Sequence, residues 1–216
     1  MIERLLEIDV SALSDADKRL PVVDPAVRAM IPDVRMAGPA FTVVAEDDVL
    51  PVMSALAEAE PGDVLVIATN GSSRAVFGEL FATEARRRGL AGIVADGLCR
   101  DLRSLRAIGL PVFARGTTPR AGTAVSRAAP GTTIDCGGVE VSPGHIVFGD
   151  DDGLLIAPAE RIAAALETAE SIGRSERAIL AAQARGVSLH DLTNHAEHIA
   201  ALDRGEASAL EFRVDA

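Results

Sequence analysis

Of the 21 basic residues in this chain only one, Lys18, is a lysine. Schiff-base aldolases and pyridoxal enzymes need a lysine amine inside the active site. Lys18 stands in the polar run Ser14-Asp-Ala-Asp-Lys-Arg19, which reads as a solvated helix surface, so covalent lysine catalysis is disfavoured. Tryptophan and tyrosine are absent and aromatic residues make up 3% of the chain. Few platforms exist for stacking bases, and a net charge of −11 with a pI near 4.8 repels a phosphate backbone. Direct nucleic-acid binding is therefore not expected. No apolar run approaches the ~20 residues of a membrane span, and the opening Met1-Ile-Glu-Arg-Leu-Leu-Glu7 lacks the charged-then-apolar layout of a signal peptide. The expectation is no membrane association and a cytoplasmic location. The two cysteines, Cys99 and Cys136, have no metal-type or redox spacing and read as buried free thiols.

What is present is a core-forming chain. At 48% hydrophobic residues over 216 positions it can bury a substantial interior, and no repeat or linker divides it. The reading is one α/β domain over 1–216, with 159–216 as a helical C-terminal extension. The N-terminal stretch reads as helical, Ser14 and Asp17 resemble a capping box, and Pro21, Pro25 and Pro32 punctuate an irregular segment. Phe41–Ala45 has strand character. Helix over Val52–Glu60, strand over Val64–Ile67, helix over Glu79–Arg88, strand over Gly92–Ala95, helix over Leu102–Ile108 and strand over Pro111–Ala114 then alternate. That order predicts a βαβ core with parallel pairing. Val139–Val141, His145–Phe148 and Leu154–Ala157 read as a three-stranded meander. Two helices, Ala159–Arg185 and Leu189–Arg204, close the chain, the second too short and polar to stand without a neighbouring surface or partner chain.

Ligands of open α/β sheets gather at the carboxyl ends of parallel strands, and two junctions qualify. At the first, Gly78 allows close backbone approach, and the N–H groups of Glu79, Leu80 and Phe81 open a helix whose positive end suits a small carboxylate; equally, Gly78 and Glu79 can simply start a helix. At the second, Asp96-Gly-Leu-Cys-Arg-Asp101, the Arg100 fork can hold a carbonyl or enolate oxygen and the Asp101 carboxylate a hard cation. The plainer alternatives are an N-cap for Asp101 and a surface cation for Arg100.

The stretch Gly78-Glu-Leu-Phe-Ala-Thr-Glu-Ala-Arg-Arg-Arg-Gly-Leu-Ala-Gly-Ile-Val-Ala-Asp-Gly-Leu-Cys-Arg-Asp101 resembles the signature of the RraA-like family, which includes 4-hydroxy-4-methyl-2-oxoglutarate aldolases and regulators of ribonuclease activity. In that family an Arg-Asp pair follows, twenty residues on, an acidic residue in the aldolases or a glycine in the regulators. Here Glu79 precedes Arg100-Asp101 at that spacing, with Glu for the usual Asp. Val23–Arg28, Ala37–Val43, Pro61–Ile67, Gly109–Arg120 and Asp150–Gly153 extend the likeness over nearly the whole chain.

The resemblance implies a swivelling β/β/α fold, a homotrimer or hexamer with sites near subunit boundaries, and a divalent-metal lyase. By position, the backbone of Gly78–Phe81 would hold the carboxylate of a pyruvate-like substrate, Arg100 its keto oxygen, and Asp101 Mg²⁺ or Mn²⁺, with Glu79 near a water on the metal. Retro-aldol cleavage of 4-hydroxy-4-methyl-2-oxoglutarate and decarboxylation of oxaloacetate share a pyruvate enolate, so one such site serves both. The competing expectation is a non-catalytic regulator whose acidic surface takes an arginine-rich segment of a partner such as a ribonuclease. The remaining features read as structural: His190, His195 and His198 as a solvated helix surface, His145 as a strand residue, and Asp150-Asp-Asp-Gly153 as a tight turn; Asp96 reads as a brace for the Gly97 turn or as a support behind the site residues.

Overall fold

The computed structural model describes residues 1–213. The chain opens with α1 (Ile2–Leu5), α2 (Val10–Ala16), β1 (Arg28–Ala29) and the nine-residue β2 (Met36–Val44). Then α3 (Leu50–Glu58), β3 (Val64–Ala68), α4 (Glu79–Arg87), β4 (Gly92–Cys99), α5 (Leu102–Ile108) and β5 (Val112–Thr117) alternate. The short strands β6 (Ile134–Cys136) and β7 (Val139–Val141), the hairpin β8 (Ile146–Asp150) and β9 (Gly153–Ala157), and the helices α6 (Ala159–Ala184) and α7 (His195–Asp203) complete the chain.

Seven strands form one mixed sheet in the order β1-β5-β4-β3-β2-β8-β9, with β2, β3, β4 and β5 mutually parallel, as the alternation predicted. Every residue of β3 is buried, the signature of a parallel strand covered on both faces. β2 changes partner midway: Met36–Pro39 run antiparallel to β8, and Ala40–Val44 parallel to β3. The exchange falls at Gly38-Pro39, where a β-carbon on Gly38 would run into the Gly62 carbonyl. The sheet nearly closes into a barrel because one segment touches both edges: Val22 bridges Leu155 of β9, and Arg28–Ala29 pair with β5.

Four expectations need correction. β7 does not belong to a meander; it pairs with β6 across Gly137-Gly138, both at positive φ (58° and 78°), a two-residue turn that only such backbone freedom allows. Ser14 lies inside α2 and does not cap it. The cap comes from 140 residues away: Asp150 Oδ2, at the β8–β9 turn, accepts the Val10 N–H at 2.9 Å, while Oδ1 accepts Asp152 N–H at 3.0 Å. The final helix starts at His195, not Leu189, and Lys18 stands just past the end of α2. The last three residues of the extension read over 159–216 lie outside the described residues.

Because Asp150 replaces a local N-cap, Asp150→Ala should lower the unfolding free energy by about 1 kcal/mol, seen in urea melts as a lower midpoint with an unchanged slope.

Candidate active site

Three parallel strands deliver the site from their carboxyl ends. After β3 the chain turns through Asn70 and Gly71, both at positive φ, and Ala75 bridges Leu98 on one side and Ala121 on the other. Val76 N–H donates to Leu98 O (3.3 Å) and Arg100 N–H to Phe77 O (3.1 Å), so the segment before α4 is zipped along the end of β4. Gly78 then caps α4 in an extended conformation. Its lack of a side chain is a packing requirement: a β-carbon there would run into Asp101 Oδ2 and lie 2.7 Å from Arg100 Cγ.

Asp101 occupies the N-cap position of α5 in the left-handed region (φ 60°, ψ 37°) but makes no side-chain cap to its own helix. Oδ2 instead accepts the Glu79 N–H at 3.1 Å and lies 3.4 Å from Arg100 Nε. Of the three helix-opening N–H groups expected to be free, Glu79's is therefore taken, and those of Leu80 and Phe81 remain without an acceptor among the described residues. Asp101 Oδ1 and both terminal nitrogens of Arg100 likewise have no protein partner among the described residues. Both side chains are about one-third exposed (38% and 36%). They face a cavity of about 320 Å³ whose other walls are Leu102, Thr117, Thr118 and Pro119.

Gly78, Glu79, Arg100 and Asp101 are thus brought together at the level of backbone and carboxylate. The Glu79 carboxylate pairs with neither Arg100 nor Asp101. The Leu80 and Phe81 side chains leave the site and line a separate apolar groove of about 330 Å³ with Met53 and Leu56. Sequence reasoning missed the Thr117–Pro119 wall, although its position at the end of the third parallel strand signalled it. It also missed Asp48, 2% exposed, whose Oδ2 accepts Thr123 Oγ1 (2.7 Å), Val125 N–H (2.7 Å) and Ser126 N–H (3.1 Å), pinning the loop that continues from that wall.

Among the described residues no three His, Cys, Asp or Glu side chains cluster in a way that could hold a metal ion, so a closed zinc-type cage is not built here. The donor set fits a water-rich Mg²⁺ or Mn²⁺ instead, since such ions need only one or two carboxylates and Asp101 keeps a free oxygen on an open cavity. Cys99, next to Arg100, is pushed up to about 11 by burial, and Cys136 to about 12, so neither supplies a thiolate. Asp96 is bound to Arg115 and takes Gly137 N–H (2.9 Å), while Arg115 also reaches Asp24 (2.8 Å), a brace between strands. His190 and His195 meet edge to face at 4.8 Å.

These features define an α/β protein in which the start of one helix, with N–H groups lacking an acceptor among the described residues, packs beside an Arg-Asp pair. The RraA-like family, described as Aldolase/RraA, matches residues 10–156, and the chain belongs to that family. A protein of Halalkalibacterium halodurans with the provisional name of a 4-hydroxy-4-methyl-2-oxoglutarate aldolase is 37% identical over 159 residues, 73% of this chain and 76% of that one. The solved structure of the RNA-processing inhibitor RraA from Thermus thermophilus superposes with a TM-score of 0.64 at 30% identity, matching 91% of its own chain but 68% of this one. An uncharacterized protein of Pseudomonas syringae shares the fold (TM-score 0.78, 24% identity, 87% of this chain and 93% of its own). The family match ends at Ile156, so α6 and α7 lie beyond it. No helix among the described residues is long and apolar enough to cross a membrane.

Two outcomes follow. Gly78→Ala should cost roughly 1–3 kcal/mol, the overpacking range, read as a lowered urea midpoint. Burial pushes the Asp48 carboxyl up, but hydrogen bonds from Val125, Thr123, Leu50 and Ser126 outweigh it and hold the group at about 2 against an ordinary 3.8. A depressed folded value stabilises above the unfolded one and is lost as pH falls. Unfolding free energy should therefore drop as pH falls from about 4 to about 2, and Asp48→Asn should flatten that part of the curve.

Proposed function

We propose that this protein is a divalent-cation-dependent lyase that cleaves a C–C bond of a pyruvate-derived 2-keto acid, by retro-aldol cleavage of 4-hydroxy-4-methyl-2-oxoglutarate, by decarboxylation of oxaloacetate, or both. The observation that carries this reading is the contact of the α4 start with the Arg-Asp pair: Gly78 packs against Arg100 and Asp101, the Glu79 N–H donates to Asp101, and the pair's unused guanidinium donors and carboxylate oxygen face a cavity.

The Leu80 and Phe81 N–H groups, at the positive end of α4, receive the substrate carboxylate. Arg100 donates to the keto oxygen and becomes a stronger partner as that oxygen gains enolate charge during bond cleavage. Asp101 would hold the cation, and Mg²⁺ or Mn²⁺ bound there supplies Lewis-acid stabilisation of the same developing charge. Glu79, exposed beside the site, takes up the C4 hydroxyl proton through an intervening water in the aldol case and returns it to the enolate carbon to give pyruvate. A homotrimer or hexamer accords with the groove beside the site, where Leu80 is 75% and Met53 58% exposed. The regulatory reading rests on the acidic charge and on the relative named as an RNA-processing inhibitor; Glu79, where the regulators carry glycine, favours the enzyme.

Pyruvate release from each substrate, measured with Mg²⁺ and then with a chelator, tests the proposal. Turnover should require the cation. Arg100→Lys, which loses the planar fork, should lower kcat about 10²-fold or more, and Asp101→Asn should abolish the response to Mg²⁺. Absence of pyruvate from both substrates with metal-loaded protein would sink the reading.

A further inference from the structure

We infer that Thr117 reads the C4 hydroxyl of a 4-hydroxy-2-keto acid, and that this side chain sets how far the site favours retro-aldol cleavage over decarboxylation. The inference rests on the proposed function and deepens it on the side of the departing half of the substrate.

Thr117 ends β5 and is the register partner of Cys99 on β4, the residue before Arg100. Neighbouring strands lie about 4.8 Å apart, so the strand pairing brings Thr117 alongside the Arg-Asp pair. Thr118 N–H donates to Cys99 O at 3.0 Å and fixes this end of the two strands. The residues around the cavity then differ in what they have left to offer. Arg100 serves the keto oxygen and Asp101 the cation. Leu102 and Pro119 present only carbon from their side chains. Thr118 Oγ1 accepts the Arg120 N–H at 3.3 Å, in the turn that follows β5. Thr117 is exposed at the cavity wall, and its hydroxyl has no partner among the described residues. It is the uncommitted hydroxyl of the wall.

A site group placed to hydrogen-bond a substrate hydroxyl discriminates against acids that lack one. In retro-aldol cleavage the C4 hydroxyl proton leaves toward Glu79 through the intervening water. The C3–C4 electron pair passes into the enolate, and the C4 oxygen becomes the keto oxygen of the second product. The Thr117 O–H donates to that oxygen, most strongly while it carries alkoxide charge, and so turns the C4 hydroxyl proton toward the water. Leu102 and Pro119 offer apolar surface to the C4 methyl group. Oxaloacetate carries no such hydroxyl. Its departing carboxylate loses charge as it becomes carbon dioxide, so a donor there favours the ground state over the transition state.

Thr117→Val, which removes the hydroxyl and keeps the branched shape, and Thr117→Ser, which keeps the hydroxyl, test this. Pyruvate release from 4-hydroxy-4-methyl-2-oxoglutarate is set against two references that pass through the same enolate without a C4 hydroxyl: oxaloacetate decarboxylation, and exchange of pyruvate methyl protons in deuterium oxide. Thr117→Val should lower the aldol rate about 10-fold or more relative to both references, chiefly in kcat, and Thr117→Ser should recover most of it. An equal fall in all three reactions, no fall, or a shift produced by Thr118→Val in place of Thr117→Val overturns the inference and leaves the lyase reading standing. Native protein that decarboxylates oxaloacetate but does not cleave the hydroxy acid has the same consequence. Metal-loaded native protein that releases pyruvate from neither substrate overturns the lyase reading, and this inference with it.

Discussion

The Glu79 N–H donates to the Asp101 carboxylate across a glycine that leaves no room for a β-carbon, and this contact ties the starts of α4 and α5 together. Each helix follows a different parallel strand, so one hydrogen bond fixes the relative placement of two crossover units at their carboxyl ends. The surrounding backbone reinforces it, since Phe77 O accepts from Arg100 and Leu98 O from Val76. Asp101 pays for this in a left-handed conformation that non-glycine residues adopt sparingly. Its neighbours hold it there, and the carboxylate is thereby turned away from its own helix and toward the cavity.

The same contact sets the electrostatics. Asp101 sits at the positive end of α4, where a substrate carboxylate would also bind, and two anions at one helix start repel each other. Arg100, 3.4 Å from Asp101, compensates one of them. Under the proposed function, a divalent cation on the free carboxylate oxygen would compensate the other. The acidity of the whole chain is a weak obstacle to an anionic substrate. At physiological ionic strength, exposed charges beyond about 8 Å are largely screened, so the guanidinium and helix end dominate what a small acid meets.

Legibility in the sequence followed distance along the chain. The α5 limits were read without error because Asp101 and Gly109, its flanking residues, are both local signals and both adopt positive φ. β3 and the ends of α4 were read within a residue or so from apolar runs and from Gly78. The failures share a non-local cause. The α2 cap is supplied by Asp150, the Glu79 N–H is taken by Asp101, and the loop beyond Thr117 is anchored by Asp48, so none of these is visible to a local pattern. β6 was overlooked for a different reason, being three residues long with one exposed position, too short for alternation to register.

The three strands contribute to the site in different currencies. β4 delivers side-chain chemistry in Arg100 and Asp101; the β3 connection delivers only backbone, through Gly78 and the N–H groups that follow; β5 delivers a wall of hydroxyls and a proline at Thr117–Pro119. The backbone contribution depends on the missing β-carbon at Gly78 and tolerates many sequences elsewhere in its loop. The wall is held from outside by Asp48, at the start of α3, through a loop with no regular structure between Thr118 and Thr133. Changes on the wall or in its loop can therefore alter the shape of the cavity while leaving the Arg-Asp end intact.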